Sequence, residues 1–562
     1  MKYFFRTNTV FLFLLIAKLS SGQYTHQDTL RGSITPERAW WDVLKYDIAV
    51  KPDYDSKTIK GQVSILFKVV KPGNVMQIDL QAPLIIDSFS LAAHSPSAKD
   101  KFWRPNDQSL MKHDGNVWLI NLPEGLKNSS TNSITIYYHG SPRIAVNPPW
   151  DGGWIFTKDE KGRPWMTVAC QGLGASVWYP CKDHQSDEPD NGASLTITIP
   201  DTLVAVGNGR MINKKTNDNG TTTWTWEVKN PINNYDIIPY IGKYVTWHEE
   251  YMGEKGKLDC NYWVMDYNLE KATKQFDLNV KPMLNCFEHW FGPYPFYEDG
   301  YKLVETPHLG MEHQSAVAYG NHYVNGYYVG GGNGRDLSGS GWGMKWDYII
   351  VHESGHEWFG NNITTNDIAD MWIHEGFTDY SETLFVECQY GKAAADQYAQ
   401  GLRRSISNRK PIIGPYGVNK EGSGDMYNKG NNLLHTIRQV INDDSLFRQI
   451  LRGLNKEFYH KTVDSKDVES YISQKSGKDL SRIFDQYLRT INIPVLEYKI
   501  NGDALSFRWT NCIAGFDMPV KISSGGTDSW IHPKEEWQEE KGFTQNSPEF
   551  DKNFYITIKK VE

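Results

Sequence analysis

The sequence predicts a multidomain α+β protein: an N-terminal β-sheet domain, a mainly helical central domain and a small, β-sandwich-like C-terminal domain. Three observations carry this. The chain has 562 residues, more than one core supports, since single cores stop growing at about 250–300 residues. Between residues 40 and 250 short runs alternate apolar and polar residues, the period of half-buried strands. Leu269 to Phe291 and residues from about 344 to 490 show helical apolar spacing, and after Pro494 the alternation returns.

Taken in order, the first 22 residues stand apart. Lys2 and Arg6 precede a short apolar run, and Ser20 and Gly22 place small residues before a cut at Gln23. This pattern predicts a secretory signal peptide. The apolar run falls short of the roughly 20 residues that span a bilayer. No later stretch is apolar enough, so the mature chain is expected not to be membrane-embedded, and to be exported, periplasmic or secreted. The predicted layout is residues 1–22 signal, 23–266 β domain, 267–492 helical domain and 493–562 terminal β domain.

Strands are predicted at Tyr46-Asp-Ile-Ala-Val50, Gly61-Gln-Val-Ser-Ile-Leu-Phe67, Ser133-Ile-Thr-Ile-Tyr-Tyr138 and Ser194-Leu-Thr-Ile-Thr-Ile199. Leu269 to Phe291 reads as a helix closed by Gly292-Pro293. Tyr301-Lys-Leu-Val-Glu-Thr306 reads as a strand, and the Gly-rich residues 328–343 as a flexible loop. A net charge of -8 without a long basic run excludes nucleic acid as the expected partner. The six cysteines form no CxxC pair. Cys170 and Cys181 are spaced for a local bridge, but spacing leaves the connectivity open.

One segment carries chemistry. In Asp347-Tyr-Ile-Ile-Val-His-Glu-Ser-Gly-His-Glu-Trp-Phe-Gly360, His352 and His356 are four residues apart. On a helix both imidazoles share one face and can grip one metal ion. Glu353 is turned about 100° from His352, beside the metal but not on it, where a general base belongs. A catalytic zinc keeps an open position, so it needs three protein ligands. Glu375, 19 residues after His356 in Met371-Trp-Ile-His-Glu-Gly-Phe377, supplies the third if that segment opens a helix folding back on the first. His374 is the rival, but on a helix it points about 100° away from Glu375. The expected cofactor is one Zn²⁺, held by His352, His356 and Glu375.

With these residues the chain resembles the gluzincin aminopeptidases related to membrane alanyl aminopeptidase and leukotriene hydrolase. Further segments match in register. His308-Leu-Gly-Met-Glu-His-Gln314 is similar to the family's Gly-x-Met-Glu-Asn motif. Cys170-Gln171 with Tyr179-Pro-Cys-Lys-Asp183 is similar to its Gln…Pro-Cys-x-Asp segment, and Tyr427-Asn-Lys-Gly430 to its Tyr-x-Lys-Gly motif. The resemblance implies a thermolysin-like central domain and peptide substrates with a free N-terminus. It implies that Glu312 holds the substrate ammonium and that Gln171, Gly310 and Met311 line the substrate site. It further implies that Glu353 acts as base and then acid, and that Tyr427 donates to the oxyanion. Strand 301–306 is a candidate to pair with the peptide backbone, and Glu382 a candidate partner behind a metal ligand.

The chain departs from the family at Leu309, His313, His374 and Thr378. No departure removes a catalytic group, but together they leave first-residue preference open. Other readings use the same scaffold: a thermolysin-like endopeptidase, an inactive peptide-binding module, and epoxide hydrolysis, which one branch of the family performs but no local residue pattern here argues for.

Overall fold

A computed structural model of the chain describes residues 24–93, 110–122, 126–543 and 548–562. The expected signal peptide lies outside the described residues.

The N-terminal domain is built on a seven-stranded sheet ordered Arg210–Thr216, Thr221–Val228, Ala193–Pro200, Trp41–Asp53, Thr58–Val69, Thr131–Gly140 and Ile85–Ala93. Trp41–Asp53 pairs parallel with Ala193–Pro200 and antiparallel with Thr58–Val69. The period-2 pattern places Tyr46, Ile48, Val63, Ile65, Phe67, Ile134 and Ile136 in the core. A second sheet holds the hairpin Gly153–Lys158 with Pro164–Ala169. That hairpin delivers Gln171 to the cleft.

A five-stranded sheet follows, ordered Tyr244–Gly253, Gly256–Met265, Tyr301–Glu305, Val317–Tyr319 and Gly310–Met311. Its first hairpin precedes residue 267 yet hydrogen-bonds to Tyr301–Glu305. Leu258, Cys260, Tyr262 and Val264 pack in the core of the helical domain. The boundary expected at 266/267 therefore shifts to about residue 243, because the hairpin's pairing partner comes later in the chain. The same topology corrects a second expectation. Tyr301–Glu305 is paired on both sides and buried throughout, so it has no free edge for a peptide. The edge strand is Gly310–Met311.

Helix Leu269–Phe291 occupies the predicted span. Helices Tyr348–Gly355, Trp372–Tyr390, Lys392–Leu402, Asn428–Ile441, Asp444–Glu457, Ser465–Ser476 and Ser481–Arg489 complete the helical domain. The Gly-rich stretch is not wholly irregular: Tyr327–Tyr328 pairs with Gly334–Arg335, and Asp336 accepts bonds from Ser338 N and Gly341 N. The terminal domain contains a four-stranded and a three-stranded sheet, as a sandwich requires.

A disulfide joins Cys286 to Cys388, and thus helix Leu269–Phe291 to helix Trp372–Tyr390. Cys170 and Cys181 are buried free thiols. The candidate bridge between them is absent because Cys170 Sγ turns to the Tyr235 carbonyl, while Cys181 pairs through its backbone with Asp79. Among the described residues no helix is long and apolar enough to cross a membrane.

Candidate metal centre and substrate cleft

Asp347 starts the histidine helix as its N-cap. It accepts from Ile350 N and is itself held by Gln275, Tyr319 and Asn321. His352 lies within helix Tyr348–Gly355 and His356 closes it with helical backbone angles, so the four-residue spacing keeps both rings on one side. Helix Trp372–Tyr390 brings Glu375 opposite them. His352 Nε2 and His356 Nε2 lie 3.8 and 3.3 Å from Glu375 Oε2.

The partners behind these rings fix their orientation. Glu382 Oε1 is 2.6 Å from His352 Nδ1, and the Phe359 carbonyl is 3.0 Å from His356 Nδ1. Each imidazole thus turns Nε2 toward the shared centre. Tyr398 donates to the other Glu382 oxygen at 2.6 Å, and Tyr348 stacks on His352. The three candidate ligand atoms lie within 4.8 Å of one another, and Glu375 Oε2 is buried without a hydrogen-bond donor. Two imidazoles and one carboxylate, converging with an unsatisfied oxygen, fit a zinc ion with one position open. His374 is not a ligand: its Nε2 accepts from Thr365 N at 3.0 Å. Burial, aided by His356, depresses its pKa to about 3.

Glu353 projects beside the centre. Burial pushes its carboxyl up to about 7 against the pull of His352, close to the working range of a general base. Gly310 is the residue it packs against. A Cβ there would meet Glu353 Oε1 at 2.8 Å and Ile349 Cγ2 at 2.7 Å, so the motif glycine makes room for the Glu353 carboxyl.

Glu312 follows the edge strand. Gln171 Nε2 donates to its Oε1 at 2.6 Å, and the Tyr235 hydroxyl donates to the same oxygen at 3.0 Å. Asn361 Nδ2 holds the Glu312 carbonyl at 2.8 Å, and Glu357 accepts from Ser315 N. The turn after the histidine helix therefore clamps the segment that carries Glu312. A carboxylate oxygen of Glu312, one of Glu353 and a ring nitrogen of His356 lie within 4.8 Å of one another. Burial raises the Glu312 carboxyl, and Glu375 adds to the rise while His356 opposes it.

Tyr427 precedes helix Asn428–Ile441 and stacks on His352 with ring centroids 6.1 Å apart. Its approach depends on two glycines. A Cβ on Gly430 would come within 2.8 Å of Gly376 Cα, so only this pair lets the helices bearing Tyr427 and Glu375 cross so closely. A cleft of about 450 Å³ exposes Gln171, Gly310, Met311, Glu312, Glu353 and Tyr427 together with the three candidate ligands.

The structure thus brings together all nine residues singled out from the sequence. Sequence reasoning missed Tyr235, Asn361, Trp150 and Glu421, of which the last two line the cleft. Nothing in a strand or helix period marks such residues.

The fold and the ligand set define a gluzincin-type centre, two helical histidines and a glutamate from the next helix. Residues 43–235 match the description "Peptidase M1 N-terminal domain" and residues 343–487 match "Peptidase family M1 domain". Among relatives, Aminopeptidase M1 of Arabidopsis thaliana is 21% identical over 87% of this chain and 54% of its own length. Aminopeptidase N of Lactococcus lactis is 24% identical over 82% of this chain and 52% of its own. An M1 zinc metallopeptidase from Deinococcus radiodurans, solved with a Tyr-Ser-Ala substrate, has the same fold, with TM-score 0.65 and 20% identity over 80% of this chain and 95% of that one. The chain spans about half the length of the curated relatives it matches. It belongs to peptidase family M1, the gluzincin aminopeptidases.

Proposed function

We propose that this chain is an exported aminopeptidase that uses one zinc ion to remove single N-terminal residues from peptides. The observation that carries the reading is Glu312. Its carboxylate is held by Gln171 and Tyr235, and it lies within 4.8 Å of Glu353 and His356. A residue advances a chain by about 3.3–3.6 Å, so an ammonium paired with Glu312 places the first peptide bond beside Glu353. An endopeptidase gains nothing from a buried anion at that position.

His352, His356 and Glu375 would hold the metal, which when bound acts as a Lewis acid on water and on the scissile carbonyl. Glu353 takes the proton of the attacking water and returns it to the leaving amine. The Tyr427 hydroxyl donates to the oxygen on which charge develops. The free edge of Gly310–Met311 offers backbone groups to the extended peptide. The Cys286–Cys388 disulfide supports an oxidising, exported setting.

The test is cleavage of one peptide with its amine free and with it acetylated. Faster loss of single N-terminal residues from the free form is expected. Equal rates, or early internal fragments, would favour the endopeptidase, and a zinc-loaded protein without turnover would favour the binding module.

A further inference from the structure

The cleft has an end whose walls no role above explains. Hairpin pairing of Gly153 with Ala169 sets the loop before the first strand beside the residues after the second. Trp150 lines the cleft together with Gln171 and Gly172, and Gln171 holds Glu312. Trp150 is 65% exposed, whereas the Trp154 and Trp178 indoles nearby are fully buried. Its ring is open to a side chain that enters this part of the cleft. The loop that presents it is pinned, because Asp151 accepts from Val146 N at 2.6 Å and from Asn147 N at 2.9 Å.

A second wall comes from residues 419–421. Asn419 lines a small cavity with Gln171, Tyr235 and Ile368, so this segment runs past the same end of the cleft. Two residues on, Glu421 opens into the cleft itself. Its carboxylate forms no ion pair or side-chain hydrogen bond among the described residues. The nearby Arg31 is already committed to the Gly172 carbonyl and Asp183, and Lys420 does not line the cleft.

We propose that Trp150 and Glu421 form the first-side-chain pocket and select a long basic residue, Lys or Arg, at the substrate N-terminus. This rests on the aminopeptidase reading and deepens it. The methylene stem of Lys or Arg lies against the indole, and its cation is attracted both by the indole face and by the free carboxylate. A Leu side chain gains only the indole contact. An acidic side chain meets Glu421 in a cleft already lined by Glu312, Glu353 and Glu375.

The test is kcat/KM for Arg, Lys, Leu, Ala and Glu anilides with the zinc-loaded wild type, Trp150→Ala and Glu421→Gln, each checked for an unchanged Tm. Arg and Lys are expected to lead in the wild type. Glu421→Gln is expected to lower the Arg-to-Leu ratio by about tenfold, the scale of one charge-assisted contact. Trp150→Ala is expected to lower Arg, Lys and Leu together relative to Ala. A wild type that prefers Leu to Arg and Lys, or a Glu421→Gln variant with the wild-type Arg-to-Leu ratio, would overturn the proposal. Absence of turnover on every anilide would overturn the aminopeptidase reading and this one with it.

Discussion

Glu382 Oε1 lies 2.6 Å from His352 Nδ1, although the two residues sit on different helices and 30 positions apart. The carboxylate fixes the ring so that Nε2 faces Glu375. Glu382→Gln should therefore weaken zinc binding by about 10- to 100-fold, the usual cost of losing a partner behind a ligand. Competition with a graded chelator measures this. A variant that holds zinc as tightly as the wild type would remove Glu382 from the centre.

Glu353 packs against Gly310 and stands outside the candidate group His352, His356 and Glu375. Glu353→Gln is expected to keep stoichiometric zinc and to lose about 10²- to 10⁴-fold in kcat, the range for a general base. Metal analysis of the same sample separates a lost base from a lost ion.

Tyr235 and Gln171 both donate to one oxygen of Glu312. Tyr235→Phe removes one donor and leaves the ring packing. KM for free-amine substrates is expected to rise several-fold and kcat to fall less. Glu312→Ala, which removes the anion, should abolish the preference for free over acetylated peptides.

Several buried histidines are neutral in the fold. Burial depresses the pKa of His308 from 6.5 to about 4. Below pH 6.5 the unfolded chain takes up a proton that the folded chain refuses, so stability falls as pH drops from 6.5 to 4 and levels off below that. The loss for this one group is about 3 kcal/mol at pH 4, from about 1.4 kcal/mol per pKa unit. Denaturant melts across that window should show the slope, and His308→Leu should reduce it by this one group's share.

The Cys286–Cys388 bridge closes a loop with a sequence separation of 102. Chain entropy assigns such a loop about 4–5 kcal/mol. Cys286→Ser with Cys388→Ser should lower the Tm of the oxidised protein to that of the reduced wild type. A melting point indifferent to reductant would mean the thiols are not joined.

The sequence by itself marked the two histidines, the glutamate beside them, the span Leu269–Phe291 and the strand-rich N-terminal domain. These rest on local periods of 3.6 and 2 residues, which any window of the chain displays. It also marked Glu312, Gln171 and Tyr427, but through shared register with a family and not through geometry. Only the tertiary structure decided that Tyr235 holds Glu312, that Gly376 and Gly430 let Tyr427 approach, and that Tyr301–Glu305 is central while Gly310–Met311 is the edge. It likewise placed hairpin 244–265 with the helical domain and joined Cys286 to Cys388, not Cys170 to Cys181. Each of these depends on which distant segments pack together. Sheet order and helix crossing settle that, and neither leaves a period in the sequence.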